Sequence, residues 1–176
     1  NVLGLALAEG GQMDAAIDTL HETLRERIAL SGRDHRETAT LYNSLAITLT
    51  AVNRVDAALA AYHESLAIHE RLGRSNEADA LVMLANTGTL ALRTGRLAEA
   101  ERILKSAVQR QQAVTGDSAA VAAAMGLYGT VLTMRAQFTD ALDVLRKAAA
   151  MAEQLGGGAS PVAVQNRLFL ADALGS

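Results

Sequence analysis

Apolar positions in this chain recur at helical spacing, and small residues recur at a much longer period. Leu20 and Leu24, Leu59 and Leu66, Leu97 with Ile103 and Leu104, and Leu142 and Leu145 follow the helical rhythm. Short runs of turn residues separate these stretches. Proline occurs once, at Pro161, whereas strand-rich folds and long loops use more turn punctuation. The pattern therefore predicts a chain that is almost entirely helical.

The longer period is carried by small residues. Gly11-Gln12-Met13-Asp14-Ala15-Ala16 is matched by Asn53-Arg54-Val55-Asp56-Ala57-Ala58, by Gly95-Arg96-Leu97-Ala98-Glu99-Ala100 and by Ala136-Gln137-Phe138-Thr139-Asp140-Ala141. The closing alanines, Ala16, Ala58, Ala100 and Ala141, are 42, 42 and 41 residues apart. Twelve residues before each stands Gly4, Ala46, Gly88 or Gly129. Gly32, Gly73, Gly116 and Gly156 close the units and read as helix C-caps. Three markers in step over four units leave little room for coincidence.

Each unit divides into two helices. First helices are expected over 36–52, 77–94, 119–135 and 161–174, with the tail of another at 1–9. Second helices are expected over 13–31, 55–72, 97–115 and 139–155. The expected organisation is one repeat domain over 1–176, with units at 1–35, 36–76, 77–118 and 119–160 and a lone helix at 161–174. Two helices approach to about 8 Å only where small residues face the contact. Gly or Ala on the first helix and Ala on the second are expected to supply that contact.

Composition narrows the picture. Cysteine is absent, so no disulfide framework or thiolate zinc site is available, which fits a reducing, cytoplasmic setting. The net charge is −3 with both signs interspersed, which argues against a broad basic face for nucleic acid. No apolar run reaches the roughly 18 residues of a membrane span. The opening Asn1-Val2-Leu3-Gly4-Leu5-Ala6-Leu7-Ala8 lacks a basic leader and is explained by the repeat. Arginine outnumbers lysine 14 to 2 and alanine makes up about a fifth of the chain, a bias that points to a GC-rich bacterial genome.

The repeat resembles the tetratricopeptide repeat (TPR) family. Leu3-Gly4, Leu45-Ala46, Thr87-Gly88 and Tyr128-Gly129 fill the first-helix feature of that family, and the repeated alanines fill the second-helix one. The period of about 42 is similar to the long variety found in kinesin light chains and bacterial signalling proteins. Leu41-Tyr42-Asn43-Ser44-Leu45-Ala46 is similar to its Asn-Asn-Leu-Ala signature. Gly32-Arg33-Asp34-His35-Arg36 resembles its inter-repeat loop, with Arg36 where proline is usual. The second Asn is missing from most units. The resemblance implies an all-α solenoid wound as a right-handed superhelix. It also implies a concave groove lined by first helices, peptide or protein ligands and no enzymatic activity.

The groove-facing stripes on the first helices are expected at Asn1, Asn43, Ala85, Gly126 and Asn166, then at Leu5, Ile47, Thr89, Thr130 and Leu170, then at Ala8, Thr50, Leu92, Thr133 and Ala173. Asn86 and Arg93 lie beside them. An Asn side chain both donates and accepts, which suits an extended peptide backbone. The expected binding residues are Asn43, Ile47, Thr50, Asn86, Thr89, Arg93, Thr130, Thr133 and Asn166; the competing reading of each Asn is that it satisfies local backbone or faces solvent. Some family members clamp a C-terminal carboxylate with first-helix lysines. Here Lys105 and Lys147 both fall on second helices.

Nothing in the sequence points to catalysis, a metal or a cofactor. His63 and His69 are six residues apart and do not share a helix face, and His21 and His35 have no ligand-like spacing. Gly156-Gly157-Gly158 is followed by Ala159-Ser160-Pro161, without the Lys and Ser/Thr of a phosphate loop. Ser160 reads as an N-cap and Pro161 as the first turn of the last helix. Asp14 and Asp18, like Glu22 and Glu26, read as a solvated face. The chain starts inside a first helix and ends with one that lacks its partner. A fragment of a larger protein is therefore expected, or ends covered by another copy. The functional expectation is a non-catalytic protein-interaction module of a bacterial regulatory or signalling protein. The alternatives are homo-oligomerisation through the terminal helices and a regulatory segment that senses a peptide or small ligand.

Overall fold

A computed structural model describes the backbone of residues 2–156 and 158–175, and the side chains of 11–156 and 158–175. Among these residues there are eight helices and no strand. They are α1 (Val2–Ser31), α2 (Arg36–Ala51), α3 (Val55–Arg71), α4 (Ala78–Arg93), α5 (Leu97–Thr115), α6 (Ala119–Met134), α7 (Phe138–Gly156) and α8 (Pro161–Gly175). They gather into two compact units, 1–83 and 84–176, with the boundary inside α4. In the first unit α2 packs against α1 and α3; in the second α6 packs against α5, α7 and α8.

The helix pairs fall where the 42-residue period places them, with one exception. The expected helices 1–9 and 13–31 are a single helix, α1, which runs through Gly11. Elsewhere the reversal needs a residue in the left-handed region, supplied by Asn53 (φ 58°), Gly95 (φ 75°) and Ala136 (φ 58°). Such a reversal breaks helical hydrogen bonds and is offset by packing between the two helices it joins.

Loop chemistry fixes the starts and stops. Gly32, Gly73 and Gly116 follow α1, α3 and α5 with φ of 81°, 70° and 64°, the left-handed conformation of a glycine C-cap. Gly156 departs from that expectation: it is the last helical residue of α7 and its φ is not left-handed. Ser160 Oγ accepts from the Ala163 amide at 3.2 Å, with Pro161 opening α8. Ser118 caps α6 through Val121, and the His35 ring caps α2 through Glu37. Beyond the glycine run, Arg167 holds the loop before α8, donating to the Gly158 carbonyl and, at 3.2 Å, to Glu153.

The small-residue contact is real, but its partner differs from expectation. A Cβ on Gly88 would lie 2.7 Å from Leu104, and one on Gly129 would lie 2.5 Å from Leu145. These leucines stand one turn after Ala100 and Ala141, so each glycine seats a leucine and not the alanine itself. All four second-helix residues are fully buried. Ala91, Ala100, Leu104 and Val131 form one core cluster of the second unit; Val121, Met125 and Ala148 form another.

Candidate binding groove

The nine expected binding residues divide into those the fold leaves open and one that it buries, and two further stripe positions, Gly126 and Ala173, are buried as well. In the first unit, Asn43 and Thr50 on α2 are half-buried and Ile47 is exposed. In the second unit, Asn86 and Arg93 on α4 are exposed; Thr89 on α4 and Thr130 and Thr133 on α6 are half-buried. Asn1, Leu5 and Ala8 lie outside the described side chains.

Asn166 does not belong to the groove. It is 1% exposed, and its amide nitrogen donates to the carbonyls of Ala122 and Ala148, each at 3.1 Å. Its carboxamide oxygen lies where a Cβ on Gly126 would stand. One side chain thus ties α8 to α6 and α7. The cause is register. The caps Ser118 and Ser160 are 42 residues apart, so Asn166 occupies the place of Ala124, which is also buried. The true equivalents of Gly126 and Thr130 are Leu168 and Asp172, both exposed.

The threonines are not free donors. Thr50 donates to the Ala46 carbonyl at 2.7 Å, Thr89 to Ala85 at 2.8 Å, Thr130 to Gly126 at 3.0 Å and Thr133 to Gly129 at 3.1 Å. With each proton returned to its own helix, what remains is a methyl group and acceptor lone pairs. Thr50 also meets the Tyr62 hydroxyl, whose pKa is raised by burial and partly lowered again by that bond.

A cavity of about 370 Å³ opens on the first-helix side of the first unit, lined by Thr40, Asn43, Ala78, Asp79, Val82 and Met83. The Asn43 carboxamide oxygen is shielded from solvent and receives no hydrogen bond. Met83 forms a fixed wall: it is 3% exposed, with its sulfur 3.0 Å from the Ser65 hydroxyl, which itself donates to the Ala39 carbonyl. The sequence reading missed Thr40, Asp79 and Val82. Thr40 stands three residues before Asn43, so helical spacing alone would have found it. Asp79 and Val82 sit on the first two turns of α4, ahead of the stripe position Ala85.

A second cavity, of about 350 Å³, lies between α6 and α8 in the second unit, with Leu127, Val162, Gln165 and Phe169 in its lining. Its surface is nearly all apolar, because the Asn166 amide is already bonded to the chain's own carbonyls. Among the described residues no three metal-ligating side chains converge, and no helix is long and apolar enough to cross a membrane.

Comparison with known proteins agrees with this architecture. No curated protein matches the sequence. The chain is similar in structure to the nearly identical TPR-like repeats of a Podosopora anserina kinesin light chain, with a TM-score of 0.81 at 19% identity over 98% of this chain and 82% of that one. It is also similar to BtubC (BKLC) from P. vanneervenii, with a TM-score of 0.82 at 19% identity over 96% of this chain and 67% of that one. The family model for the tetratricopeptide repeat matches residues 1–71 and 78–154. With that match over most of its length, the chain belongs to the tetratricopeptide repeat family.

Proposed function

We propose that this chain, acting as one repeat domain, is a non-catalytic module that binds a peptide or partner protein along its first helices. The observation that carries the reading is the cavity of about 370 Å³ on the first-helix side of the first unit, lined by Thr40, Asn43, Asp79 and Val82 among others. The half-buried threonines, Thr50 in the first unit and Thr89, Thr130 and Thr133 in the second, add methyl surface to the first helices. Asn86 and Arg93 extend the same role in the second unit. The proposed setting is a larger bacterial regulatory or signalling protein in the cytoplasm.

Panning a displayed random-peptide library against the chain and its Asn43→Ala/Asn86→Ala variant tests the reading. Sequence-selective binding that the variant loses, with its helical circular dichroism intact, is the expected result. An absence of selective binding to the unaltered chain would sink it.

A specific observation favours one alternative, self-association through α8. Val164, Leu168 and Leu174 are 41%, 59% and 61% exposed. Their equivalents on α6, Ala122, Gly126 and Leu132, are buried. Sedimentation equilibrium over a range of concentrations decides it: a mass that rises with concentration supports association, and a constant monomer mass removes it.

A further inference from the structure

Counted from the caps Ser118 and Ser160, α8 repeats α6 at a distance of 42 residues. On α6 the row Ala122, Gly126 and Gly129 is buried. Ala122 packs with Ala152 of α7 and Ala163 of α8. Gly126 lies against Asn166 of α8, and Gly129 against Leu145 of α7. The corresponding row on α8 is Val164, Leu168 and Ala171, and all three are exposed. Ala163, Asn166 and Ala173 turn the opposite face of α8 into the unit. The exposed row therefore continues, by one repeat, an interface that the chain already uses to hold helices together.

The sizes along the row select what fits it. Val164 and Leu168 are large, whereas Ala171 and Gly175, which continue the row, are small. A Cβ placed on Gly175 meets nothing within 4 Å. Steps of four, three and four residues keep these positions on one side of a helix. Let two such rows run antiparallel about a two-fold axis between Leu168 and Ala171. Leu168 then falls over the partner's Ala171, and Val164 over the partner's Gly175, so large meets small in every layer. In a parallel pair leucine would meet leucine and glycine would meet glycine. The backbones would be held apart at one end and leave a gap at the other. The antiparallel seat has the composition of one already present in the chain, Leu145 over the small Gly129.

We propose that α8 is a homodimerisation element that pairs antiparallel with α8 of a second copy, each Leu168 seated on the partner's Ala171. The inference rests on the self-association reading above and supplies its partner surface and its symmetry. Such a contact is isologous, so it closes at a dimer. One face of a 15-residue helix buries less than the about 800 Å² per partner of a standard interface, so association in the micromolar range or weaker is expected.

Sedimentation equilibrium of the full chain, from micromolar to near-millimolar concentration, reads the dimer affinity. Leu168→Glu is expected to weaken it about tenfold or more, with helical circular dichroism unchanged because the position is exposed. Two further variants read the seat itself. Leu168→Ala and Ala171→Leu should each weaken the dimer. The second does so although it adds apolar surface, because leucine would then face leucine. The combined Leu168→Ala/Ala171→Leu chain restores large over small and should recover most of the affinity of the unaltered chain. Tighter association of Ala171→Leu, no recovery in the combined variant, or a mass that climbs past the dimer overturns the antiparallel seat and leaves self-association through α8 in place. A constant monomer mass, or a dimer indifferent to Leu168→Glu, overturns both.

Discussion

At the residue scale, two positions show how the same amino acid acquires opposite roles from its place in the repeat. Asn43 and Asn166 read alike in sequence. One keeps a buried oxygen without a donor; the other joins three helices through two carbonyls. Asn166→Ala should therefore lower stability by about 1–3 kcal/mol, the cost of leaving buried polar groups unpaired. Thermal or urea melts read this directly, and an unchanged midpoint would return Asn166 to the solvent face. Gly129→Ala sets two effects against each other. Alanine gains about 1 kcal/mol of helix propensity over glycine. Its Cβ, however, would stand 2.5 Å from the fully buried Leu145, which cannot move aside. Overpacking of this kind costs about 1–3 kcal/mol, so net destabilisation is expected. The contact was legible in the sequence as a recurring small residue. Its true partner was not, because alanine and leucine one turn apart lie on the same helix face and only packing distinguishes them. The Asn166 role was hidden by counting from apolar stripes; counting from the caps Ser118 and Ser160 recovers it.

At the element scale, the repeat period was readable because each helix pair reuses one contact and one reversal. The reversals need left-handed residues, and Asn53, Gly95 and Ala136 mark them. Gly11 carries the same mark but is helical, because the sequence motif records only that a turn is permitted. Whether the turn forms depends on the packing it gains. Gly11 is exposed, and nothing lies within 4 Å of a Cβ placed there. Gly11→Ala should therefore stabilise the chain by about 0.5–1 kcal/mol through helix propensity alone. If a left-handed reversal formed there instead, the same substitution would destabilise it. One melting curve thus distinguishes a continuous α1 from a hairpin.

At the scale of the whole molecule, stability comes from the apolar core, because ion pairs such as Arg54–Asp14 and Arg71–Asp34 are solvent-exposed and contribute little each. Alkaline pH tests the one strongly buried phenol. Tyr62 is 4% exposed, and burial raises its pKa above the ordinary 10.0. The folded chain therefore holds this proton more tightly than the unfolded chain. Its contribution is complete below the unfolded value and is lost as pH rises from about 10 through the raised folded value. Tyr62→Phe should flatten the fall in denaturation midpoint above about pH 10, and an unchanged slope would show that other groups govern it. Fold and repeat class were legible at this scale, since they follow from periodicity. The groove chemistry was legible only in part, since it depends on which hydroxyl protons are already used and which acceptor is left without a donor.

The claim that joins these scales is that the first-helix faces receive a peptide. The most direct measurement is an NMR titration of the labelled chain with a library-selected peptide, following both backbone and side-chain amides. The Asn43 and Asn86 side-chain amides and the Thr50, Thr89, Thr130 and Thr133 backbone signals are expected to shift. The buried Asn166 amide should stay still. Shifts confined to the second helices or to α8, with Asn43 and Asn86 unmoved, would contradict it.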